Sequence, residues 1–465
     1  MEQAKWAKRL VSPAAYIKAR SWFERRGTFT IVMSRFIPGS RLPLYVAAGA
    51  LKQPAQLFAS VTGICAIVWV SAIFAASRFT AIPRLGAGRS FAFIAVALLI
   101  GPWAVAKLLR LMIPTVRQIW KRYSRWEFWP AWMFYPPVAA MYAWLAMRYG
   151  GLALPTVANP SFRNGGLIGE SKIDILRALM SAAPESVADG YLLPPGPFPQ
   201  RIGKFHRVCR EQSISYPLVL KPNIGQRGAG FKVISCRAEA EEYLAQVKAG
   251  VILQRYVSNE KEIGLFYYRL PGEQRGEIFA VTQKIFPAVI GDGASTFEQL
   301  IRKDERASLI ASTYLNRFPG LRGQVLPAGQ RVRLVEAGNH CQGCIFRDGS
   351  QLKSEALRQQ IDNISKGIPG FYIGRYDIRY ATDEDLRNGN FKIIELNGAA
   401  SESTNIYDER NSLLSAYRTL YTQWELVFRI GSANRKRGHR SSSAVELLKD
   451  ARSYSAISQT YPAAD

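Results

Sequence analysis

A lysine followed by a glycine-rich loop is the first group of residues in this chain that could do chemistry. Lys221 follows the apolar run Pro217–Leu220, and the loop behind it contains Gly225, Gly228 and Gly230. A lysine at the end of a strand, with free backbone N–H groups behind it, can hold a polyphosphate. The pattern therefore predicts a phosphate-binding site at this turn.

Side chains with oxygen ligands lie at the edges of two later strand-like segments. Asp377 follows Arg375 in the first segment, and Glu395 and Asn397 end the second. Carboxylate and amide oxygens are hard ligands that suit Mg²⁺, which commonly bridges such side chains to phosphates. The planar guanidinium of Arg375 suits an anionic reaction intermediate. These residues predict a metal site that works together with the phosphate site.

Taken in chain order, the motifs resemble the nucleotide site of the ATP-grasp family over residues 165–430. The resemblance implies ATP as a cosubstrate and Mg²⁺ (or Mn²⁺) held by Asp377, Glu395 and Asn397. It implies a magnesium-dependent ligase that joins a carboxylate to an amine or a thiol.

The same resemblance implies roles for residues that no local pattern singles out. Lys221 would contact the phosphates while the loop of Gly225, Gly228 and Gly230 closes over them, and Arg375 would stabilise the anionic intermediate. The residues that correspond to the family's adenine hinge and ribose-binding acid are Gln254, Tyr256, Val257 and Glu262.

Two further segments resemble one branch of that family, the cyanophycin-synthetase and glutamate–cysteine-ligase-like enzymes. The turn Val289–Thr296 resembles the branch's V-x-G-D-G-x-S-T pattern. Gly338–Gly343 loosely resembles its Asn-x-x-x-Gly-Gly loop, with Cys344 where the second glycine would stand. The resemblance implies an enzyme of the carboxylate–amine ligase type.

The charge balance points to an anionic partner. There are 61 Lys and Arg residues against 35 Asp and Glu residues, which gives a formal net charge of +26. Such a charge suggests nucleic acid, an anionic membrane face or anionic substrates. No nucleic-acid-binding motif is present, and apolar segments near the ~20 residues that cross a bilayer favour the membrane. These segments are Leu57–Ala76, Phe91–Leu111 and Trp129–Met147.

The segment Gly27–Leu51 is apolar but carries Arg35 and Arg41 with a proline between them. Two arginines and a proline are costly in a straight membrane span, so a broken or re-entrant hairpin is predicted. The segment resembles the second half of the DedA (VTT, SNARE-associated) family of membrane proteins over about residues 1–80. The resemblance implies a re-entrant element linked to lipid handling or proton-coupled transport.

We expect a multi-pass protein of a bacterial inner (plasma) membrane, with the lipid bilayer as a partner and the nucleotide site in the cytoplasm, where ATP is. Three spans from a cytoplasmic N-terminus would place that site outside. The proline-interrupted segment Trp129–Met147 is therefore predicted to be a surface-lying or strongly kinked helix.

The predicted fold is an α-helical membrane domain followed by an α/β (α+β) ATP-grasp domain. In the second half short strands alternate with helices, and Asn388-Gly389 predicts a hairpin near its end. The predicted divisions are a membrane domain at 1–150, a Pro/Gly-rich lead-in at 151–205, the ATP-grasp domain at 206–431 and a basic, Ser-rich, partly disordered tail at 432–465.

Several polar side chains admit two interpretations. Lys284 fits a solvated strand edge or a contact with an anionic substrate, and His340 fits a structural residue or a substrate contact. Glu402 and Asp408 follow the metal motif closely and fit either loop residues or partners of an incoming amine. The segment Gly165–Lys172 fits a substrate loop or a capped helix start.

The leading functional hypothesis is an ATP-dependent ligase that works through an acyl-phosphate. The lack of a Ser-His or Cys-His pattern agrees with it, because this chemistry needs no protein nucleophile. The alternatives are a DedA-like transporter or lipid-handling protein with a nucleotide-sensing domain, and a phosphotransferase on the same scaffold. Small-molecule or lipid-linked carboxylates and amines are the expected substrates, and nucleic acid is not expected as a partner.

Overall fold

The computed structural model describes residues 31, 41–50, 55–80, 125–225, 228–336, 338, 343–458 and 461. The chain divides into two compact units, residues 1–124 and residues 125–465. The predicted sites for nucleotide and metal all lie in the larger unit.

The described part of the smaller unit consists of α1 Arg41–Ala50 and α2 Ala55–Thr80. Helix α2 contains the predicted apolar segment Leu57–Ala76. The segment Phe91–Leu111 and the re-entrant segment up to residue 40, with Arg35, lie outside the described residues. Among the described residues, no helix combines the length and the apolar character that a bilayer crossing requires.

The larger unit contains two main antiparallel sheets and one short ribbon. Their orders are β11-β10-β5-β6-β9, β1-β4-β2-β3 and β7-β8. The strands are β1 Gly190–Leu193, β2 Leu218–Pro222, β3 Lys232–Ile234, β4 Val251–Arg255, β5 Lys261–Tyr268, β6 Glu277–Ile285, β7 Ala288–Ile290, β8 Arg331–Arg333, β9 Ile345–Asp348, β10 Ile373–Tyr380 and β11 Lys392–Asn397.

Helices cover these sheets. They are α3 Ala131–Phe134, α4 Pro136–Tyr149, α5 Lys172–Ala182, α6 Phe198–Glu211, α7 Arg237–Gln246, α8 Phe297–Lys303, α9 Ala311–Arg317, α10 Glu355–Lys366, α11 Asp383–Arg387, α12 Leu413–Lys436 and α13 Ala444–Ser458.

The five-stranded sheet has two faces of opposite character. Successive side chains of a strand point to opposite faces. On β5, Ile263, Leu265 and Tyr267 therefore share one face, which packs on the apolar sides of α5 and α10. Glu262 and Gly264 belong to the other face. Burial of apolar surface on the first side stabilises the sheet by about 25 cal/mol per Å². The second side can therefore carry charge.

The four-stranded sheet surrounds Lys221. All five residues of β2 are buried. Leu218 and Leu220 pack with Phe205 of α6 and Tyr243 of α7 in one apolar cluster. Strand β2 lies between β3 and β4, so the lysine at its end is fixed by neighbours on both sides.

The Gly-Asp-Gly turn is part of a small subdomain built from β7, β8, α8 and α9. The carboxylate of Asp292 accepts hydrogen bonds from the backbone N–H groups of Ala294 and Ser295. Thr296 then caps α8 in a capping box with Gln299. These contacts give the predicted turn a structural role, because they stop a strand and start a helix.

The apolar segment Trp129–Met147 was predicted to be a surface-lying or strongly kinked helix, and in the structure it is not one continuous helix. The segment is divided between α3 and α4, and the 14-residue α4 is only about 21 Å long against a hydrocarbon core of about 30 Å. The predicted interruption is present where α4 starts at Pro136. Leu145 of α4 is fully buried against Phe428 of α12, so the apolar character serves packing within the larger unit. That unit begins at Arg125, and the predicted boundary at residue 150 falls inside it.

The tail after residue 432 is not disordered over its described part, which corrects the prediction. Helix α12 continues to Lys436, and α13 follows. Asp450 of α13 accepts hydrogen bonds from Arg163 at 2.8 and 2.6 Å and from Asn164 at 2.7 Å. The hydroxyl of Tyr461 donates to the carbonyl of Ile224 at 2.6 Å. Specific ion pairs thus order a segment whose composition alone favours solvation.

Candidate active site

Strand register brings the predicted metal and intermediate-stabilising residues together. Asp377 lies opposite Glu395, and Arg375 lies opposite Asn397, across β10 and β11. Residues directly opposite on antiparallel strands project from the same face of a sheet, as do residues two apart on one strand. Neighbouring strands β5 and β6 add further members to this face. We call it the charged face, and it consists of Glu262, Lys284, Arg375, Asp377, Arg379, Glu395 and Asn397.

Asp377 is held between two cations. Its Oδ1 lies 3.1 Å from Nε of Arg375 and 3.0 Å from Nζ of Lys284. Burial raises the pKa of Asp377, but the two cations outweigh burial and the net shift is downward. Gly264 lies opposite Asp377, and a Cβ there would stand 3.2 Å from Cδ of Arg375. A glycine at this position leaves room for the ion pair.

Glu395 is the meeting point of two lysines. Lys172, the first residue of α5, pairs with it at 2.7 Å. Burial opposes ionisation of Glu395, yet Lys172 and Lys221 lower its pKa to about 2. The Nζ of Lys221 donates to the carbonyl of Ile394 at 3.1 Å. The predicted phosphate lysine and the predicted metal ligand therefore lie next to each other, although 174 positions separate them in the sequence.

Glu262, which the resemblance implies as the ribose-binding acid, is engaged inside the charged face. Its carboxylate oxygens lie 2.8 Å from Nζ of Lys284 and 3.1 Å from Nε of Arg379, and its side chain is only 3% exposed. Burial lowers the pKa of Lys284, but Asp377 and Glu262 outweigh burial and raise it overall. In this arrangement Glu262 positions Lys284 and Arg379, and its contact with ribose stays a prediction.

The residues predicted as the adenine hinge join the two sheets. Gln254 on β4 is buried, and its amide donates to the carbonyls of Ala188 and Ile394. The carbonyl of Val257 accepts from Arg379 at 2.6 Å, and the Arg379 guanidinium stands 5.3 Å from the ring centre of Tyr256. The hinge residues thus border the charged face, and backbone contacts to a nucleotide base remain a prediction.

The glycine loop connects β2 to β3 beside Lys221. Gly228 and Gly230 have φ values of 76° and 70°, the left-handed region that favours glycine. A Cβ at Gly230 would stand 2.7 Å from Cγ of Pro222, so the loop depends on a residue without a side chain. A Cβ built on Gly225 would lie 3.7 Å from Cε2 of Tyr461. Residues 226 and 227 are outside the described part of the chain.

The sequence placed Glu170 and Lys172 in a segment that fits a substrate loop or a capped helix start, without a role for either residue, and it left Lys284 undecided. Burial raises the pKa of Glu170 to about 7, and its Oε2 accepts from the N–H of Gly398. The segment Gly165–Lys172 is therefore both the start of a helix and a wall of the site. Lys284 lies on a strand that otherwise carries buried residues, and that pattern could have indicated a buried lysine. No local pattern indicated that Lys172 would pair with Glu395.

The donor set on the charged face fits a hard divalent cation. Asp377 and Glu395 offer carboxylate oxygens, and Asn397 adds an amide, which is the chemistry that Mg²⁺ prefers. The buried Nδ2 of Asn397 and the Oγ1 of Thr404 have no hydrogen-bond partner within the described structure. Across the described residues, no group of three or more His, Cys, Asp or Glu side chains could hold a metal on its own. A cation here would share its ligands between this chain and a phosphate.

The comparisons with known proteins report similarity at a low level. No family model matches the chain, and no curated protein does. Among solved structures the chain is similar to a bifunctional glutathione synthetase from Pasteurella multocida, at 15% identity and a TM-score of 0.29 over 56% of this chain and 38% of that one.

Two further solved structures show similarity of the same order. An N5-carboxyaminoimidazole ribonucleotide synthetase in complex with ADP gives 16% identity and a TM-score of 0.29 over 53% of this chain and 48% of that one. A D-alanine–D-alanine ligase from Bacillus anthracis shows 15% sequence identity and a TM-score of 0.34. The match covers 59% of this chain and 70% of that one. The matched part spans less than half of the length of the first two proteins. Sequence identities and TM-scores this low do not establish the reaction.

Lys221 predicts a pH-dependent affinity for a nucleotide. Burial lowers the pKa of Lys221 to about 8 against the opposing effect of Glu395, so its ammonium loses its proton as pH rises through that value. The dissociation constant of ATP, measured by titration calorimetry, should rise about tenfold per pH unit above pH 8. In Lys221→Arg the charge persists, and the dependence should flatten. An ATP affinity that stays constant to pH 10 in the unsubstituted protein would show that Lys221 does not bind phosphate.

Proposed function

We propose that this protein is an ATP-grasp enzyme that joins a carboxylate to an amine (or a thiol) through an acyl-phosphate. One observation carries the proposal: Lys221, Glu395, Asp377 and Arg375 converge on one buried face from two sheets and three strands. An ion network that merely stabilised a fold would not need a strand-end lysine beside a glycine loop. The fixed positive charge of Lys221 and Arg375 supports a phosphate-binding role, and the carboxylates of Asp377 and Glu395 support a role in binding a divalent cation.

Asp377, Glu395 and Asn397 would hold Mg²⁺ (or Mn²⁺), which would neutralise phosphate charge when bound. The chain's own residues do the remaining positioning. Lys221 and the glycine loop orient the triphosphate, and Lys172 holds Glu395 in its ionised form. Arg375, fixed by Asp377 and by the carbonyl of Glu402 at 3.1 Å, presents its guanidinium to the reacting carboxyl group.

The reaction balances without a protein nucleophile. A carboxylate oxygen of the donor attacks the γ-phosphorus of ATP, the bond to the β-phosphate oxygen breaks, and ADP leaves. The amine nitrogen then attacks the acyl carbon, and phosphate leaves with the carboxylate oxygen. The amine proton passes to phosphate or water, and an amide remains. Catalysis by positioning and electrostatics agrees with a site made of fixed ion pairs.

Removing one carboxylate at a time tests the assignment. Asp377→Asn and Glu395→Gln preserve size and remove the negative charge, so substrate-dependent ADP release should fall by about 100-fold or more. Asp383→Asn, which removes a solvent-exposed ion pair with Lys261, should leave the rate of ADP release unchanged. Circular dichroism and thermal unfolding should confirm that all three variants fold. Full activity in both site variants would refute the assignment.

We further propose that the N-terminal part attaches the enzyme to the inner membrane of a bacterium, with the active site in the cytoplasm. The apolar segments before residue 125, Leu57–Ala76 and Phe91–Leu111, support this proposal. So do three apolar side chains of α2, Ile67, Val70 and Phe74, which are each more than 60% exposed. Exposed apolar side chains at this density commonly mark an interaction surface.

Membrane attachment can be tested by fractionation of cells that express the full chain. The protein should sediment with membranes, resist extraction by alkaline carbonate and dissolve in detergent. Replacing Ile67, Val70 and Phe74 together by Ser should increase the extracted fraction severalfold. A full chain that is extracted by salt alone would contradict the proposal and leave the ligase assignment untouched.

A further inference from the structure

Glu402 differs from the acids of the charged face in its partners. Its Oε1 accepts a hydrogen bond from the hydroxyl of Tyr135 at 2.7 Å, and its Oε2 accepts one from Tyr407 at 3.0 Å. Asp377, Glu395 and Glu262 each have a cation within 3.1 Å. No Lys, Arg or His side chain of the described residues comes within ion-pair distance of Glu402. Two neutral donors leave part of the hydrogen-bond acceptor capacity of this carboxyl group unused.

The position of Glu402 places it at the border of the active site. Its backbone carbonyl accepts from Nη1 of Arg375 at 3.1 Å, so the residue is one contact away from the guanidinium proposed to face the acyl group. Two residues later, the Oγ1 of Thr404 is buried without a partner. A Cβ built on Gly264 would lie 3.6 Å from that hydroxyl, so Thr404 borders the same face. The buried hydroxyl of Thr404 and the carboxylate of Glu402, which has no ion-pair contact among the described residues, therefore both have hydrogen-bonding capacity left for a polar ligand.

The two tyrosines that bind this carboxylate belong to an aromatic cluster. Tyr407 stacks on Trp126 with 5.7 Å between ring centres, and Phe134 packs edge-on against Tyr135 at 5.1 Å. An anionic group among aromatic rings attracts an ammonium group by charge and by cation–π interaction, and it disfavours anions. Phe134 and Tyr135 belong to the apolar segment Trp129–Met147, which was predicted to be a surface-lying or strongly kinked helix.

The other acid in this loop does not have these properties. Asp408 accepts from Arg410 at 2.6 Å and from the N–H of Asp348 at 2.8 Å, and its side chain is 2% exposed. Its hydrogen-bonding capacity is used to shape the loop. Of the two acids that the sequence offered as partners for an amine, only Glu402 is available to a ligand.

We propose that Glu402, with Tyr135 and Tyr407, is the recognition site for the ammonium group of the acceptor substrate. The proposal rests on the ligase function above and gives the acceptor's chemical class: a primary amine, such as an amino acid or an amino alcohol, that binds as its ammonium form and loses one proton to water before its nitrogen attacks the acyl carbon. The tyrosine hydroxyls orient the carboxylate, and Thr404 offers a further hydrogen bond to the bound molecule. Neutral or anionic nucleophiles are not recognised at this site.

Binding of amines by the full chain gives the first test. Ethanolamine, propylamine and the common L- and D-amino acids serve as probes in titration calorimetry in the presence of ADP and Mg²⁺. At least one probe should bind, and Glu402→Gln should weaken it by roughly 10- to 100-fold, since a charge-assisted contact is lost. Tyr135→Phe should weaken it severalfold. Glu384→Gln, which changes an exposed acid elsewhere, should have no effect.

Trapping with hydroxylamine separates this proposal from the ligase assignment. Hydroxylamine is uncharged at neutral pH and attacks acyl-phosphates without an ammonium site, so Glu402→Gln should form hydroxamate from ATP and a panel of carboxylates at the rate of the unsubstituted protein. Three results would each overturn the acceptor-site proposal. They are an amine affinity of Glu402→Gln equal to that of the unsubstituted protein, a failure of every probe to bind the unsubstituted protein, and a loss of hydroxamate formation in Glu402→Gln as large as its loss of amine binding. Failure of the unsubstituted protein to form hydroxamate, with amine binding still dependent on Glu402, would instead refute the ligase function.

Discussion

Compensation of buried charge is the constraint on which this structure depends. The charged face holds carboxylates and cations in a region of low dielectric, where an unpaired ion costs several kcal/mol and a paired one is tolerated. Asp377 needs Lys284 and Arg375, and Glu395 needs Lys172. Removing one partner leaves another uncompensated, so the network holds its members in fixed positions. Fixed charges are what catalysis by electrostatic stabilisation requires.

The packing of the larger unit follows from that constraint. One face of the central sheet is covered by α5 and α10, and the opposite face carries the ions next to an apolar part, where Phe266 and Ile373 pack on α12. Helix α5 also delivers Lys172 to Glu395, so one element serves the core and the site. Two side chains near the C-terminal end of the unit contribute too. Tyr461 binds the carbonyl of Ile224 beside the glycine loop, and Asp450 forms an ion pair with Arg163. Segments at both ends of this unit therefore position a site that neither of them forms alone.

Part of this arrangement was predictable from the sequence. The antiparallel pair β10 and β11 was expected from its strand-like segments and from Asn388-Gly389, although the connection also contains the short helix α11. The alternation of Arg375 and Asp377 along one strand placed both on one face. The pairing of Lys172 with Glu395 was not predictable, because it joins residues far apart in sequence through tertiary packing. The environment of the segment Trp129–Met147 was not predictable for a related reason. The sequence of an aromatic-rich helix is the same whether lipid or α12 covers it. Ion pairs formed at a distance likewise order the basic tail, which composition alone could not indicate.

The fate of the carboxylate oxygen tests the central claim most directly. A donor carboxylate labelled with oxygen-18 is incubated with ATP, Mg²⁺, an amine and the full chain, and the released phosphate is analysed by phosphorus NMR or mass spectrometry. The proposed mechanism transfers one labelled oxygen from the carboxylate to each phosphate, together with one ADP and one amide. Unlabelled phosphate, release of AMP and pyrophosphate, or a stable phosphorylated product would contradict it.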